Sequence, residues 1–470
     1  MASQASRASR STKHCLSAID RFHWDSLAAT RRTRSLAESL SPPRSAESRR
    51  EFLASATLTA AALAAGAALG LQRSAHAGGS DLLKIGLIGC GGRGTGAAVN
   101  ALRADPNVKL VALGDVFEDR LKLCLAALQR DESLRGKLDV PPERCFTGFD
   151  NYRGVLGSGI DVVLLCTPPH FRPMHLQAAV EAGLHVFAEK PVAVDAPGVR
   201  SVLASCEAAK KKNLSIVSGL CLRYSLGLKE TIARIHDGAV GQPRYLQAND
   251  LRGPIWLRLR EPDWTDMHWQ MRNWYYFTWL SGDFNVEQHV HYLDAASWVM
   301  RDEYPVKAVG MGGRQVRTGP EYGNIFDHHS VVYEYADGAR LLSHTRQMPG
   351  CKNDMSLQVF GETGTANLSE KGPTIRGAST WKYEGETNNI YQTEHDELLR
   401  SIRSAQPINN GDYMCRSTLL AIMGRMATYT GQEVTWKQAL ESKEDLSPPA
   451  YEWGPLPPPT IAVPGVTKLA

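Results

Sequence analysis

The segment 84–94 constrains this chain more than any other. A short apolar run, Lys84-Ile85-Gly86-Leu87-Ile88, leads straight into glycines spaced G-x-G-x-x-G at Gly89, Gly91 and Gly94. A strand that ends this way must turn sharply at Gly89. It leaves backbone bare at Gly91 and brings the next helix close at Gly94. The first turn of that helix offers free N–H groups and a positive dipole end, which suit a pyrophosphate. A second apolar run, 108–114, ends at Asp115, about 20 residues beyond the glycines, where a carboxylate reaches the ribose hydroxyls of a dinucleotide. That carboxylate repels a 2′-phosphate and so favours NAD. Arg93 and Arg120 lie close enough in sequence to keep NADP as the alternative. Gly92 and Arg93 complete the expected phosphate loop.

The motif is preceded by a long leader. Arg49-Arg50-Glu51-Phe52-Leu53 opens a mildly apolar, Ala-rich run over 54–71, and Ala75-His76-Ala77 follows. Paired arginines, a weak apolar stretch and a small-x-small site form a twin-arginine export signal. The expected segments are a disordered extension over 1–47 and a signal over 48–77, with an uncleaved membrane anchor as the other reading of the apolar run. Export would place the protein in a bacterial periplasm, with the twin-arginine translocase as a transient partner. Eleven of the 53 Lys/Arg and five of the 49 Asp/Glu precede Gly78, which leaves 42 basic against 44 acidic residues. The basic excess therefore belongs to the leader, and nothing beyond it suggests a nucleic-acid surface. Eight cysteines remain after Ala77 without a C-x-x-C pair. That pattern argues for buried free thiols rather than a disulfide scaffold or a zinc site.

From 83 to 219 apolar runs alternate with helical stretches. Strands are expected over 85–88, 109–113, 145–146, 161–166, 185–188 and 214–218, with helices such as 174–182 and 197–212. This order predicts an α/β fold, a doubly wound parallel Rossmann sheet. Its strand ends, including Thr167-Pro168-Pro169-His170 and Glu189-Lys190-Pro191, should line one crevice with the glycines. After Pro243 the pattern changes. Strands over 244–249, 306–310, 330–335, 340–345 and 356–361 predict an α+β domain over 220–390 with a large open, mainly antiparallel sheet. A long helix is expected over 285–300. Helices in 391–442 should pack back on the first domain, and 443–470 forms a Pro-rich tail, either an extended strap or a loose end.

Three groups carry candidate chemistry. Lys190, set at a strand end by Pro191, can polarise a hydroxyl or carbonyl; the plain alternative is a surface pair with Glu189. Glu287 and His291, four apart on one predicted helix face, suit an acid–imidazole base pair or an ordinary helix ion pair. His289 and His291 point roughly 200° apart on a helix and cannot share a metal. Asp327-His328-His329 reads as sheet-edge packing or a substrate contact. An aromatic stretch holding Trp269, Trp274, Tyr275, Tyr276, Phe277 and Trp279, with Arg272 and Asn273, suits a sugar or a packed core. Arg272, Asn273, Trp274, Tyr275 and His328 are the candidate substrate residues.

Together these motifs resemble the glucose–fructose oxidoreductase / inositol dehydrogenase / MocA family. The resemblance rests on G-x-G-x-x-G at 89–94, E-K-P at 189–191, and a histidine four residues after an acid at 287–291. It runs through nearly all of the chain after Leu83. It implies a Rossmann domain followed by an open-sheet domain that forms a homo-oligomer, a dimer or a tetramer. It also implies hydride transfer between a sugar or cyclitol CH–OH and NAD(P). Lys190, Glu287 and His291 would surround the reacting carbon, with His291 as base oriented by Glu287. Many members have Asp where this chain has Glu287. An exported enzyme must carry its cofactor with it, which implies a tightly held NAD. Two further readings stay open: a redox-neutral glycosidase or lyase acting through a 3-keto sugar, whose Thr-His-Gly signature is missing near 287, and a non-catalytic NAD- or sugar-binding protein.

Overall fold

The computed structural model describes residues 81–369 and 372–470. The expected extension over 1–47 and export signal over 48–77 lie outside the described residues. Six strands, β1 (Leu83–Ile88), β2 (Val108–Asp115), β3 (Cys145–Thr147), β4 (Val162–Leu165), β5 (His185–Ala188) and β6 (Ile216–Ser218), pair in the order β3-β2-β1-β4-β5-β6. Every pairing is parallel. Helices cover both faces, so β4 is buried throughout and reads as an unbroken apolar run. The strand order reverses between β1 and β4, the place where such sheets bind ligands beyond their carboxyl ends.

Nine strands form the second sheet: β7 (Pro243–Arg252), β8 (Lys307–Gly313), β9 (His328–Glu334), β10 (Arg340–Gln347), β11 (Asp354–Gly361), β12 (Thr365–Leu368), β13 (Thr374–Arg376), β14 (Thr380–Lys382) and β15 (Val434–Thr435). Their order is β14-β13-β12-β11-β7-β10-β9-β8-β15. The pairing is antiparallel except between β7 and β10. Burial alternates along β9 and β10, as it must when one face packs on helices and the other is open. The fold class is thus the expected one. The return segment does more than expected: the helix Ile390–Arg403 packs on Gly92–Ala104 in the first domain, but Gly411–Thr430 also packs on β8, and β15 extends the second sheet. Among the described residues no helix is long and apolar enough to cross a membrane.

The glycine turn has the predicted geometry. Gly89 has φ +99°, and its N–H bonds to Gly114 O at 2.8 Å. A Cβ on Gly94 would lie 1.8 Å from Gly89 O, so the helix could not approach the strand. Gly94→Ala is expected to cost about 1–3 kcal/mol, the range for overpacking. A thermal melt of the variant against the parent checks this.

Candidate functional site

The crevice at the strand reversal is a cavity of about 530 Å³. Gly89, Gly91, Gly92, Arg93 and Gly94 form its floor, and Thr167 and Pro168 line the side below β4. The helix Gly92–Ala104 begins with no side-chain cap and no acid in its first turn. Its first N–H groups are therefore open to an anion. Imagined Cβ atoms on Gly91 and Gly92 would meet nothing within 4 Å, so bare backbone faces open space. This is a cradle that fits a pyrophosphate.

Asp115 stands at the end of β2 and also lines the cavity. Its Oδ2 accepts from Cys90 N at 2.7 Å and its Oδ1 from Phe117 N at 2.9 Å. Burial pushes its carboxyl up, and those two N–H donors oppose that. The carboxylate thus ties the glycine turn to β2 while keeping lone pairs for a ribose. Asp115→Ala should weaken NADH binding by about 1.5–3 kcal/mol, typical of a hydrogen bond to a charged group. Fluorescence titration of NADH measures it.

Arg93 is committed elsewhere. Its guanidinium pairs with Glu189 and Glu394 and lies 4.8 Å from the Tyr391 ring centroid. Glu394 is fully buried, and burial beside Glu189 holds its carboxyl well above the ordinary range despite Arg93. This ion pair locks the glycine loop to the helix Ile390–Arg403. Sequence reading missed Glu394 and Tyr391, because nothing local marks a helix some 300 residues away as part of the loop's support.

Past Glu189 lies the second cluster. Lys190 Nζ donates to Glu287 Oε1 at 3.0 Å and to Glu287 O at 2.7 Å. Both side chains are largely buried. An ammonium has three N–H donors, so one is left for another acceptor. The expected helix 285–300 is broken, and this corrects the pairing of Glu287 with His291. Phe284 O accepts from both Gln288 N and His289 N, a widened turn between Phe284–Glu287 and Val290–Val299. His289 is pinned there by Ser343 Oγ at 2.8 Å. Each extra residue rotates a helix by about 100°. The i, i+4 relation is therefore lost, and Glu287 turns to Lys190 instead of orienting His291.

His291 Nδ1 is buried without a hydrogen-bond partner. Burial, then the charges of Lys190 and Arg252, hold its pKa well below the usual imidazole value. Asp250 and Arg252 on β7, also missed in the sequence, pair at 2.5 Å, and their charges act on the same cluster. Lys190, Glu287 and His291 do not line the 530 Å³ cavity. They stand next to it in the chain, through the Arg93–Glu189 pair.

The expected substrate residues separate. Arg272 and Trp274 both line the cavity; Arg272 stands beyond the end of β2, where it binds both Asp119 oxygens at 2.7 and 2.8 Å and lies 3.7 Å from the Phe117 centroid. Asn273 is fully buried and fastens loops, accepting from Arg258 N and donating to Glu321 O. Tyr275 is buried and accepts from Gln347 at 2.7 Å. His328 pairs with Asp327 at 2.7 Å outside the cavity. His170, expected at the cofactor, instead bonds Tyr451 OH at 2.7 Å, and burial pushes it down to about 4. Among the described residues no group of three or more His, Cys, Asp or Glu is placed to hold a metal ion.

Comparison with known proteins agrees with this architecture. The profile described as "Oxidoreductase family, NAD-binding Rossmann fold" (GFO_IDH_MocA) matches residues 83–218, and the GFO/IDH/MocA C-terminal domain matches 229–367. An inositol 2-dehydrogenase of Cereibacter sphaeroides is 27% identical over 303 residues, which cover 63% of this chain and 77% of the relative. The crystal structure of aldose-aldose oxidoreductase from Caulobacter crescentus shares the fold with a TM-score of 0.58 at 19% identity, covering 75% of this chain and 99% of that one. A levoglucosan dehydrogenase in complex with NADH and levoglucosan does so with a TM-score of 0.59 at 16% identity, covering 76% and 99%. The two family matches follow one another along the chain and together span more than half of it, and the protein is thus a member of the GFO/IDH/MocA family of NAD-binding oxidoreductases.

Proposed function

We propose that this protein oxidises a carbinol carbon of a sugar or cyclitol with NAD, and that Lys190, His291 and Glu287 divide the work. The observation that carries the reading is Lys190 held by Glu287 beside an imidazole kept neutral. Bound NAD supplies the hydride acceptor. His291 takes the hydroxyl proton. The third N–H of Lys190 donates to the substrate oxygen and stabilises charge as the proton leaves. Glu287 holds the ammonium in place, a different task from orienting the histidine. Asp115 favours NAD over NADP, and the commitment of Arg93 to two carboxylates supports this, since it leaves that guanidinium no free charge for a 2′-phosphate.

The protein is exported through the signal at 48–77 and works in the periplasm as a homo-oligomer. Exposed Val309, Met311, Tyr245 and Phe360 on one face of the second sheet support the last point, because an open apolar sheet face marks an association surface. The name of the Cereibacter relative makes cyclitols the first substrates to try. Purified protein with NAD and a panel of cyclitols and aldoses should show NADH formation with at least one polyol. No turnover across the panel, with NADH bound normally, would contradict the dehydrogenase reading.

A further inference from the structure

The last 28 residues of the chain contain no regular strand or helix, yet they are fastened along their length. Glu444 pairs with buried Arg425 at 2.7 Å, and Leu446 N bonds Asp195 at 3.1 Å. Gly454 O accepts from Met267 N, Leu456 N donates to Asp266, and Leu456 O accepts from Gln270 at 2.6 Å. Gly465 N then bonds Thr430 O. Asp195 belongs to the first domain and Asp266 to the second, so the segment is a strap across the two. It lies outside both stretches that match the family.

Between those anchors the strap turns two aromatic rings toward the cavity wall. Trp453 stacks on Phe117, with centroids 5.5 Å apart and planes at 26°, and meets Phe149 at 4.8 Å. It also meets His268 at 5.2 Å, which itself lies 5.1 Å from Phe117 and is stacked on Trp264. Tyr451 packs on Phe149 and Phe171 and bonds His170. Phe117, Phe149 and Phe171 line the cavity. Phe117 also supplies the backbone N–H that holds Asp115, and its ring carries Arg272. Trp453 itself is 43% exposed. Its neighbours therefore need it more than the hydrophobic core does.

We propose that Trp453 and Tyr451 are positioning residues of the nucleotide site: the strap fixes the Phe117–Phe149 wall and so slows release of the bound dinucleotide. The proposal rests on the reading of this cavity as the NAD site. An indole packed on two rings rigidifies both, and a wall fixed before binding spares the ligand the cost of ordering it. Retention of this kind suits an enzyme that must keep its cofactor where free NAD is scarce.

The test uses the full chain and NADH as probe. NADH is bound, then chased with excess NAD, and the fluorescence decay gives the dissociation rate. Trp453→Ala should raise that rate about tenfold, and Trp453→Phe should restore most of the loss. Tyr451→Phe, which keeps the ring and removes the hydroxyl that bonds His170 and Ser447, should give a smaller rise. Melting of the nucleotide-free proteins shows that each variant is folded. A folded Trp453→Ala chain that releases NADH at the parent rate would overturn the proposal, as would a Phe variant no better than Ala. A parent chain that binds NADH while Asp115→Ala binds it equally well would overturn the placement of the nucleotide itself, and the proposal with it.

Discussion

His291→Ala is expected to lower kcat by about 10²–10⁴-fold, the usual contribution of a positioned general base, with NADH affinity unchanged. The reason lies in where the ring stands. A buried histidine with a structural task can spend both nitrogens on partners, as His329 does with Thr428 and Asp283. His291 has a buried Nδ1 without a partner, as His289 also has, but His291 stands against the Lys190 charge, and burial together with that charge keeps it neutral. A neutral imidazole is the form that can accept a proton. Stopped-flow turnover with the best polyol from the panel, together with NADH titration, separates loss of chemistry from loss of binding. Near-normal turnover in His291→Ala would remove it from the mechanism.

Lys190→Met should both slow the reaction and move its pH dependence. Removing a donor aimed at a developing oxyanion typically costs about 10²–10³ in kcat. The pH effect has a definite sign. Burial and then the Lys190 charge depress the pKa of His291, so its neutral form persists to low pH in the parent. Without the ammonium the pKa rises toward the ordinary imidazole value near 6.5. Protonation then disables the base at higher pH, and the acid limb of kcat/KM moves upward. A variant that is slower but keeps the parent's acid limb would separate Lys190 from His291. Glu287 is left buried and unpaired in this variant, so a melt should accompany the kinetics.

Much of the first domain was legible because its signals are local. An apolar run that ends in a glycine turn, an acid or a proline has few alternatives, and β5 falls on 185–188 as expected. The longer strands of the second sheet were legible through alternation. Its edge was not: β12, β13 and β14 have three or four residues each and pair only once the neighbouring strand is in place. The break at Gln288 was invisible for a different reason. Periodicity assumes 3.6 residues per turn, and His289 is held out of register by Ser343 on β10. The aromatic stretch was ambiguous in sequence and is divided in space, with Trp274 on the cavity and Tyr275, Tyr276, Phe277 and Trp279 buried in their own core. The strap left no sequence signal beyond its prolines, since the bonds that anchor it to Asp195, Asp266 and Gln270 join residues far apart in the chain.

The most direct test follows the carbinol hydrogen. The protein is mixed with NAD and the best polyol, deuterated at its carbinol carbons, and the nicotinamide product is analysed by mass spectrometry. One deuterium per NADH formed is expected, with His291→Ala retaining bound NAD but forming labelled NADH far more slowly. NADH without deuterium, or labelled NADH formed equally fast by parent and variant, would contradict that expectation.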